Sequence, residues 1–147
     1  MNALTQVNRG LRWILLWTAV ALLAGCAGAP ADKSIKVTLS GAEQNPPITT
    51  SATGSGAFTV GEDKSISGSI TTTGVEGTVA HIHLAGKGKN GPVIIPLTKT
   101  SDNVWSVPAG AKLTDAQYES YKAGDLYVNV HSAKFKPGEI RGQIQPR

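Results

Sequence analysis

The sequence predicts an all-β protein, an antiparallel β-sandwich of about eight strands with one short helix. Two observations lead to this expectation. Short stretches of alternating apolar and polar residues recur between residues 35 and 145, and Gly, Pro, Asn and Asp bound them. Only one stretch carries the start and stop signals of a helix. The chain has 147 residues, which suits a single domain.

Eight stretches show the alternation, which puts apolar side chains on one face of a strand and polar side chains on the other. Their spacing is that of an antiparallel sandwich or barrel. Residues 61–64 are predicted to form a turn that joins the second and third stretches as a hairpin. The eight stretches are Ile35 to Ser40, Gly54 to Val60, Ser65 to Thr73, Val79 to Leu84, Pro92 to Thr98, Val104 to Val107, Asp125 to Ser132 and Glu139 to Gln145.

The helix is predicted to begin after Thr114, because Thr114 and Gln117 have the spacing of a capping box. Gly124 is expected to end it in a left-handed conformation. Tyr118 and Tyr121 lie three residues apart, so we expect both rings on the inward face. The segment is therefore a surface helix that covers one end of the sheet.

The N-terminal residues are expected to lie outside the folded domain. Two basic residues, Arg9 and Arg12, precede an apolar run at residues 13–23. The run is shorter than the roughly 20 residues that span a bilayer, and its length suits a signal peptide. The last residue of the run begins the sequence Leu-Ala-Gly-Cys at residues 23–26, which resembles the lipobox of bacterial lipoproteins. The resemblance implies a signal peptide at residues 1–25, a lipidated Cys26 that anchors the protein to the bilayer, a tether at residues 26–33 and a domain at residues 34–147. Such a protein would lie in the bacterial cell envelope, periplasmic or surface-exposed.

Composition argues against several functions. Loss of Arg9 and Arg12 with the signal peptide lowers the formal charge from +4 to +2, and no basic tract with interleaved aromatic residues remains, so nucleic acid is not an expected partner. The carboxylates are scattered, and no catalytic Ser/His/Asp arrangement or phosphate-binding glycine loop stands out, so no catalytic residue is assigned. Lipidation of the single cysteine would leave only nitrogen and oxygen ligands for a metal. The sequence identifies no protein partner.

All three histidines fall in two predicted strands, as His81 and His83 in one and His131 in the other. Alternate residues of a strand share a face, so His81 and His83 project together, about 6.6 Å apart along the backbone. The opposite face of each strand is apolar, with Ala80, Ile82 and Leu84 in the first strand and Leu126, Val128 and Val130 in the second. In the second strand this leaves Tyr127, Asn129 and His131 on the polar face. If the strands are neighbours, the three imidazoles form a metal site; otherwise His81 and His83 are an unliganded polar pair.

The last strand supplies further candidates around these histidines. A hairpin through residues 133–138 would pair His131 with Glu139 and Asn129 with Arg141. Glu139 is then a candidate to orient an imidazole, Arg141 a candidate to attract a small anion, and Asn129 a polar neighbour of the site. The default interpretation of Glu139 and Arg141 is a solvated cross-strand charge arrangement.

Several motifs together resemble the CHRD domain, the module repeated in chordin and widespread in bacterial exported proteins. The resemblance covers about residues 34 to 145. It implies an extracellular binding protein, and no general enzymatic activity follows from it. Its motifs are AEQNPP (42–47), GSG (54–56), ISG (66–68), AHIH (80–83), GPVI (91–94), LYVNVHS (126–132) and PGEIRGQ (137–143).

A second resemblance, to copper-zinc superoxide dismutase, concerns the histidines and gives the predicted sandwich its Ig-like or dismutase-like character. His81, His83 and His131 are similar in order and strand context to three copper ligands of that enzyme. The zinc-binding residues, the bridging histidine and the disulfide are absent, and Arg141 does not match the enzyme's anion-guiding motif. The resemblance implies bound copper, with zinc as the other candidate, in metal handling or dismutase-like protection. The alternative is a metal-free adhesion module that recognises protein or glycan.

Overall fold

The computed structural model describes residues 33–146. The expected signal peptide, Cys26 and the tether up to residue 32 lie outside the described residues. The described part contains nine strands, a 3₁₀ turn (Gly41–Glu43) and one α-helix, α1 (Asp115–Lys122). The all-β prediction with one short helix is confirmed. The strands are β1 (Ile35–Ser40), β2 (Thr53–Val60), β3 (Ile66–Thr73), β4 (Gly77–Leu84), β5 (Val93–Pro96), β6 (Thr98–Ser101), β7 (Val104–Ser106), β8 (Leu126–Ser132) and β9 (Ile140–Ile144).

The nine strands form one sheet in the order β5-β4-β8-β9-β1-β2-β3-β7-β6, and every pairing is antiparallel. The two edge strands, β5 and β6, follow each other in the chain with only Leu97 between them. The Leu97 N–H donates to the Ala80 carbonyl of β4 at 2.9 Å. Since one residue joins opposite edges, the sheet has to curl until those edges meet, and the result is a nearly closed barrel.

The ninth strand arises because the stretch predicted at residues 92–98 is divided into β5 and the start of β6. Proline has no N–H for the sheet ladder, and β5 ends at Pro96. All four residues of β6 are exposed, so its sequence carries no apolar alternation from which a strand could be predicted.

The apolar faces of the strands other than β6 fill the interior of the barrel. In β1, for example, Ile35, Val37 and Leu39 are buried. The opposite face departs from the expected solvent exposure in β8 and β9, where polar residues are buried as well. Segments 41–50, 85–92 and 133–138 cover this face, as the hydrogen bonds described below show.

The helix follows its prediction. The Thr114 hydroxyl accepts a hydrogen bond from the Gln117 N–H (3.2 Å), and the Thr114 N–H donates to the Gln117 side chain (2.9 Å), which completes the capping box. Gly124 has a φ of +80°, as a left-handed stop requires. Tyr121 is buried and Tyr118 packs against the core. Among residues 33–146, no helix has the length and apolar character needed to cross a membrane.

Candidate metal centre

Strands β4 and β8 are neighbours, and their register sets the positions of the histidines. Within this pair, His81 lies opposite Asn129, His83 opposite Tyr127, and Val79 opposite His131. Residues directly opposite each other share a face of the sheet, so all three histidines project to the same side. The structure thus brings the three histidines together, as the sequence predicted.

The three imidazoles converge closely enough to surround one ion. One ligand nitrogen from each of His81, His83 and His131 lies within 4.8 Å of the other two. The Nδ1 atom of His81 is 3.2 Å from Nε2 of His131. Nitrogens that share one metal at about 2.0–2.1 Å lie on the order of 3.3 Å apart in a tetrahedral site. The first pair already has this separation, as a hydrogen-bonded pair in which Nδ1 of His81 donates to Nε2 of His131.

Backbone carbonyls determine which nitrogen two of the rings present. The Nδ1 of His83 donates to the Gly91 carbonyl at 2.9 Å, and the Nδ1 of His131 donates to the Lys136 carbonyl at 2.7 Å. Because a carbonyl oxygen can only accept, Nδ1 carries the hydrogen in both rings and Nε2 is left with its lone pair. Metal-ligating histidines commonly have such a partner on the other ring nitrogen.

The Nε2 atom of His83 is the unusual polar atom of the site. It is buried and has no hydrogen-bond partner among residues 33–146. A buried acceptor without a partner costs roughly 1–3 kcal/mol, so its persistence calls for an explanation. The donor set therefore fits a metal ion, which would supply the missing partner.

The surroundings of His81 and His83 favour the neutral forms of these two imidazoles. Burial is the main reason that the pKa of His81 lies below the ordinary value of 6.5, and the positive forms of His131 and His83 lower it further. Burial also lowers the pKa of His83; its hydrogen bond to Gly91 opposes this, while His131 and Arg141 add to the lowering. Neutral imidazole is the form that binds metal.

Within residues 33–146, the side chains of Asn129 and Glu139 form hydrogen bonds to partners other than the histidines. Both are buried. Asn129 accepts a hydrogen bond from the Gln44 side chain at 3.0 Å and donates to the Pro137 carbonyl at 3.4 Å. Glu139 lies just before β9 and accepts from the Thr50 hydroxyl at 2.8 Å. In the described structure, these contacts join the covering segments to the sheet.

Arg141 is opposite Asn129, as the predicted hairpin requires. It is only 1% exposed, so it does not form a solvated charge arrangement. Its guanidinium donates to the carbonyls of Lys89 (2.7 Å) and Gly86 (3.1 Å) and to the Gln143 side chain (3.1 Å). The guanidinium is therefore covered by segment 85–92, whose carbonyls accept its hydrogen bonds. The position of this segment could not be predicted from strand alternation.

Alternation along β8 puts Tyr127 on the same face as Asn129 and His131, and the sequence indicated no role for it there. In the structure its ring stacks on His83, with centroids 4.8 Å apart and planes 9° from parallel. The Arg141 guanidinium lies on the Tyr127 ring, 3.5 Å from its centroid. The pairing of Tyr127 with His83 follows from strand register, whereas the carbonyls of Gly91 and Lys136 come from loops whose paths the sequence did not indicate.

Comparison with known proteins identifies the family of the chain. The chain matches the family model of the CHRD domain over residues 35–144 and is a member of that family. It matches no curated protein and no solved structure at a significant level.

Proposed function

We propose that this protein binds a copper ion through His81, His83 and His131. The buried, unpartnered Nε2 of His83 carries the proposal, because it lies beside two further imidazole nitrogens that can share a ligand with it. His81 and His131 are only partly buried. That side of the cluster is open to water or another small molecule as a fourth ligand.

Copper is favoured over zinc by the chemistry of the donors. For a given set of nitrogen ligands, divalent copper binds more tightly than zinc. The three donors are imidazoles from two neighbouring strands that the fold holds in place. Zinc remains the competing metal, since three histidines also suit it.

Bound copper would supply one-electron chemistry, which is the basis of a dismutase-like protective activity. Without such turnover, the same three ligands would serve to hold or deliver the ion. The chain's own contribution is the same in both cases: it holds three imidazoles together, favours the neutral forms of His81 and His83, and leaves one side of the site open.

The location proposed for this function is the bacterial cell envelope, with the domain anchored to the bilayer by acylated Cys26. The support comes from the lipobox-like residues 23–26. Fatty-acid labelling of the expressed chain tests the anchor: label should enter the wild type and be absent from Cys26→Ser. Equal labelling of both chains would contradict it.

Metal titration tests the site itself. The purified protein is titrated with Cu(II), Cu(I) and Zn(II), beside His81→Ala and His131→Ala. We expect tight copper binding to the wild type and a large loss of affinity in each variant. Equal weak binding by all three proteins would end the metal proposal. A superoxide assay with copper-loaded protein, and zinc-loaded protein as the inert control, then separates a catalyst from a carrier.

A second candidate function is recognition of protein or glycan without a metal. A groove of about 470 Å³ crosses β1, β2 and β3, and exposed hydroxyls of Thr38, Ser55 and Thr71 line it. These hydroxyls suit hydrogen bonding to a glycan. Glycan binding that survives removal of metal by a chelator, and is lost in Ser55→Trp, would favour this function.

A further inference from the structure

The buried side chain of Arg141, next to the histidine cluster, connects its strand to a loop. Arg141 lies on β9, yet its guanidinium bonds two carbonyls of segment 85–92, those of Gly86 and Lys89. Gln143, two residues further along β9, donates to the Ala85 carbonyl of the same segment at 3.0 Å. A buried charge is costly unless it is fully hydrogen-bonded, so these contacts hold the segment firmly against the sheet.

Gly91, near the end of the same segment, contacts both Tyr127 and His83, whose rings are stacked. The Gly91 N–H donates to the Tyr127 hydroxyl at 3.3 Å, and the Gly91 carbonyl accepts from Nδ1 of His83. A Cβ atom at residue 91 would lie 1.9 Å from the Leu84 carbonyl oxygen, so only glycine permits this close approach. The position of Gly91 therefore decides which nitrogen of His83 carries its hydrogen.

The ring of Tyr127 connects Arg141 to His83 by a second route. Arg141 lies on one face of Tyr127, and His83 lies parallel to that ring. The guanidinium thus restrains the orientation of the imidazole through Tyr127 and its tautomer through segment 85–92. Both restraints leave Nε2 of His83 directed away from the loop carbonyl and without a partner.

We propose that Arg141 is a positioning residue, which fixes segment 85–92 so that Gly91 holds His83 as the Nδ1–H tautomer with Nε2 presented for metal binding. This inference rests on the proposed function for its purpose, although its structural part concerns the metal-free protein. A lysine at residue 141 would keep the charge but lack the planar fork that bonds two carbonyls and stacks on Tyr127.

The tautomer is measured directly by NMR of the full-length, metal-free chain labelled with ¹⁵N-histidine, because protonated and bare ring nitrogens have well-separated shifts. We expect a single Nδ1–H tautomer for His83 in the wild type. Arg141→Gln and Arg141→Lys should both give a mixture of tautomers, and copper affinity should fall by roughly 10- to 100-fold. Tyr127→Phe is a milder variant that keeps the stack and removes the hydrogen bond from Gly91, so a partial shift toward the mixture is expected.

Phe58→Leu is the matched control, because Phe58 is a fully buried residue of β2, outside the β4–β8 pair. It should lower the melting temperature without changing the tautomer of His83 or the copper affinity. A single Nδ1–H tautomer in either Arg141 variant that folds would overturn the positioning role. If neither folds, an unchanged tautomer in Tyr127→Phe would overturn the part of the proposal in which Gly91 holds His83. A wild-type chain with the expected tautomer and no copper binding would instead contradict the proposed function alone.

Discussion

Copper should stabilise the fold of this protein to a degree that depends on His131. His81 and His131 are 50 residues apart in sequence, so only the folded chain brings their nitrogens to 3.2 Å. An ion that uses both ligands therefore binds the folded state and has little affinity for the unfolded state. At a free copper concentration 100 times the Kd, the stabilisation is about 2.7 kcal/mol.

This free energy corresponds to a rise in Tm of roughly 10 °C for a domain of this size. His131→Ala leaves only the His81–His83 pair, which is also present in the unfolded chain, so we expect its shift to be no more than about 3 °C. Lys136→Ala is the control, because it removes a side chain but keeps the carbonyl that accepts from His131. Calorimetry or circular dichroism in the presence and absence of copper measures the shifts. Equal shifts in His131→Ala and the wild type, or no shift in the wild type, would refute the reasoning.

Three further predictions concern the protonation of His81 and His83, the close approach at Gly91 and the helix cap at Thr114. Because His81 and His83 have a pKa below 6.5, they contribute stability above about pH 6.5 that is lost as the pH falls through their folded-state values; urea unfolding of the chelator-treated protein should show this decline, and a flat profile would contradict it. Gly91→Ala should displace segment 85–92 from the Leu84 carbonyl and lower copper affinity about 10-fold or more, as a titration would measure. Thr114→Ala removes a helix cap and should cost about 1 kcal/mol in unfolding experiments, with copper affinity unchanged.

Much of the fold could be predicted because its evidence is local. Residue alternation identified β1 with the bounds it has in the structure, and the capping box at Thr114 located the start of α1. The edge strand β6 could not be found in this way, since all its side chains are exposed and no apolar face marks it. Local patterns reveal a strand only where one of its faces is buried.

The candidate site was predictable to the same extent. Period-two alternation required His81 and His83 to share a face, and it placed Tyr127, Asn129 and His131 on the polar face of β8. It also gave the pairing of Asn129 with Arg141. Whether the faces of β4 and β8 coincide depends on which strands are neighbours, and that is a long-range property of the sheet.

By itself, then, the sequence determined an all-β chain and two polar strand faces that carry its three histidines, because these features depend only on the spacing of nearby residues. The tertiary structure decided that β4 adjoins β8, that segments 41–50, 85–92 and 133–138 cover the polar face, and that loop carbonyls select the nitrogen each of two imidazoles presents. These outcomes depend on contacts between residues distant in the chain, for which no local pattern encodes the path. Arg141 illustrates the difference. Alternation placed it on the outward face of its strand, but segment 85–92, about fifty residues earlier in the chain, covers that face and buries the side chain.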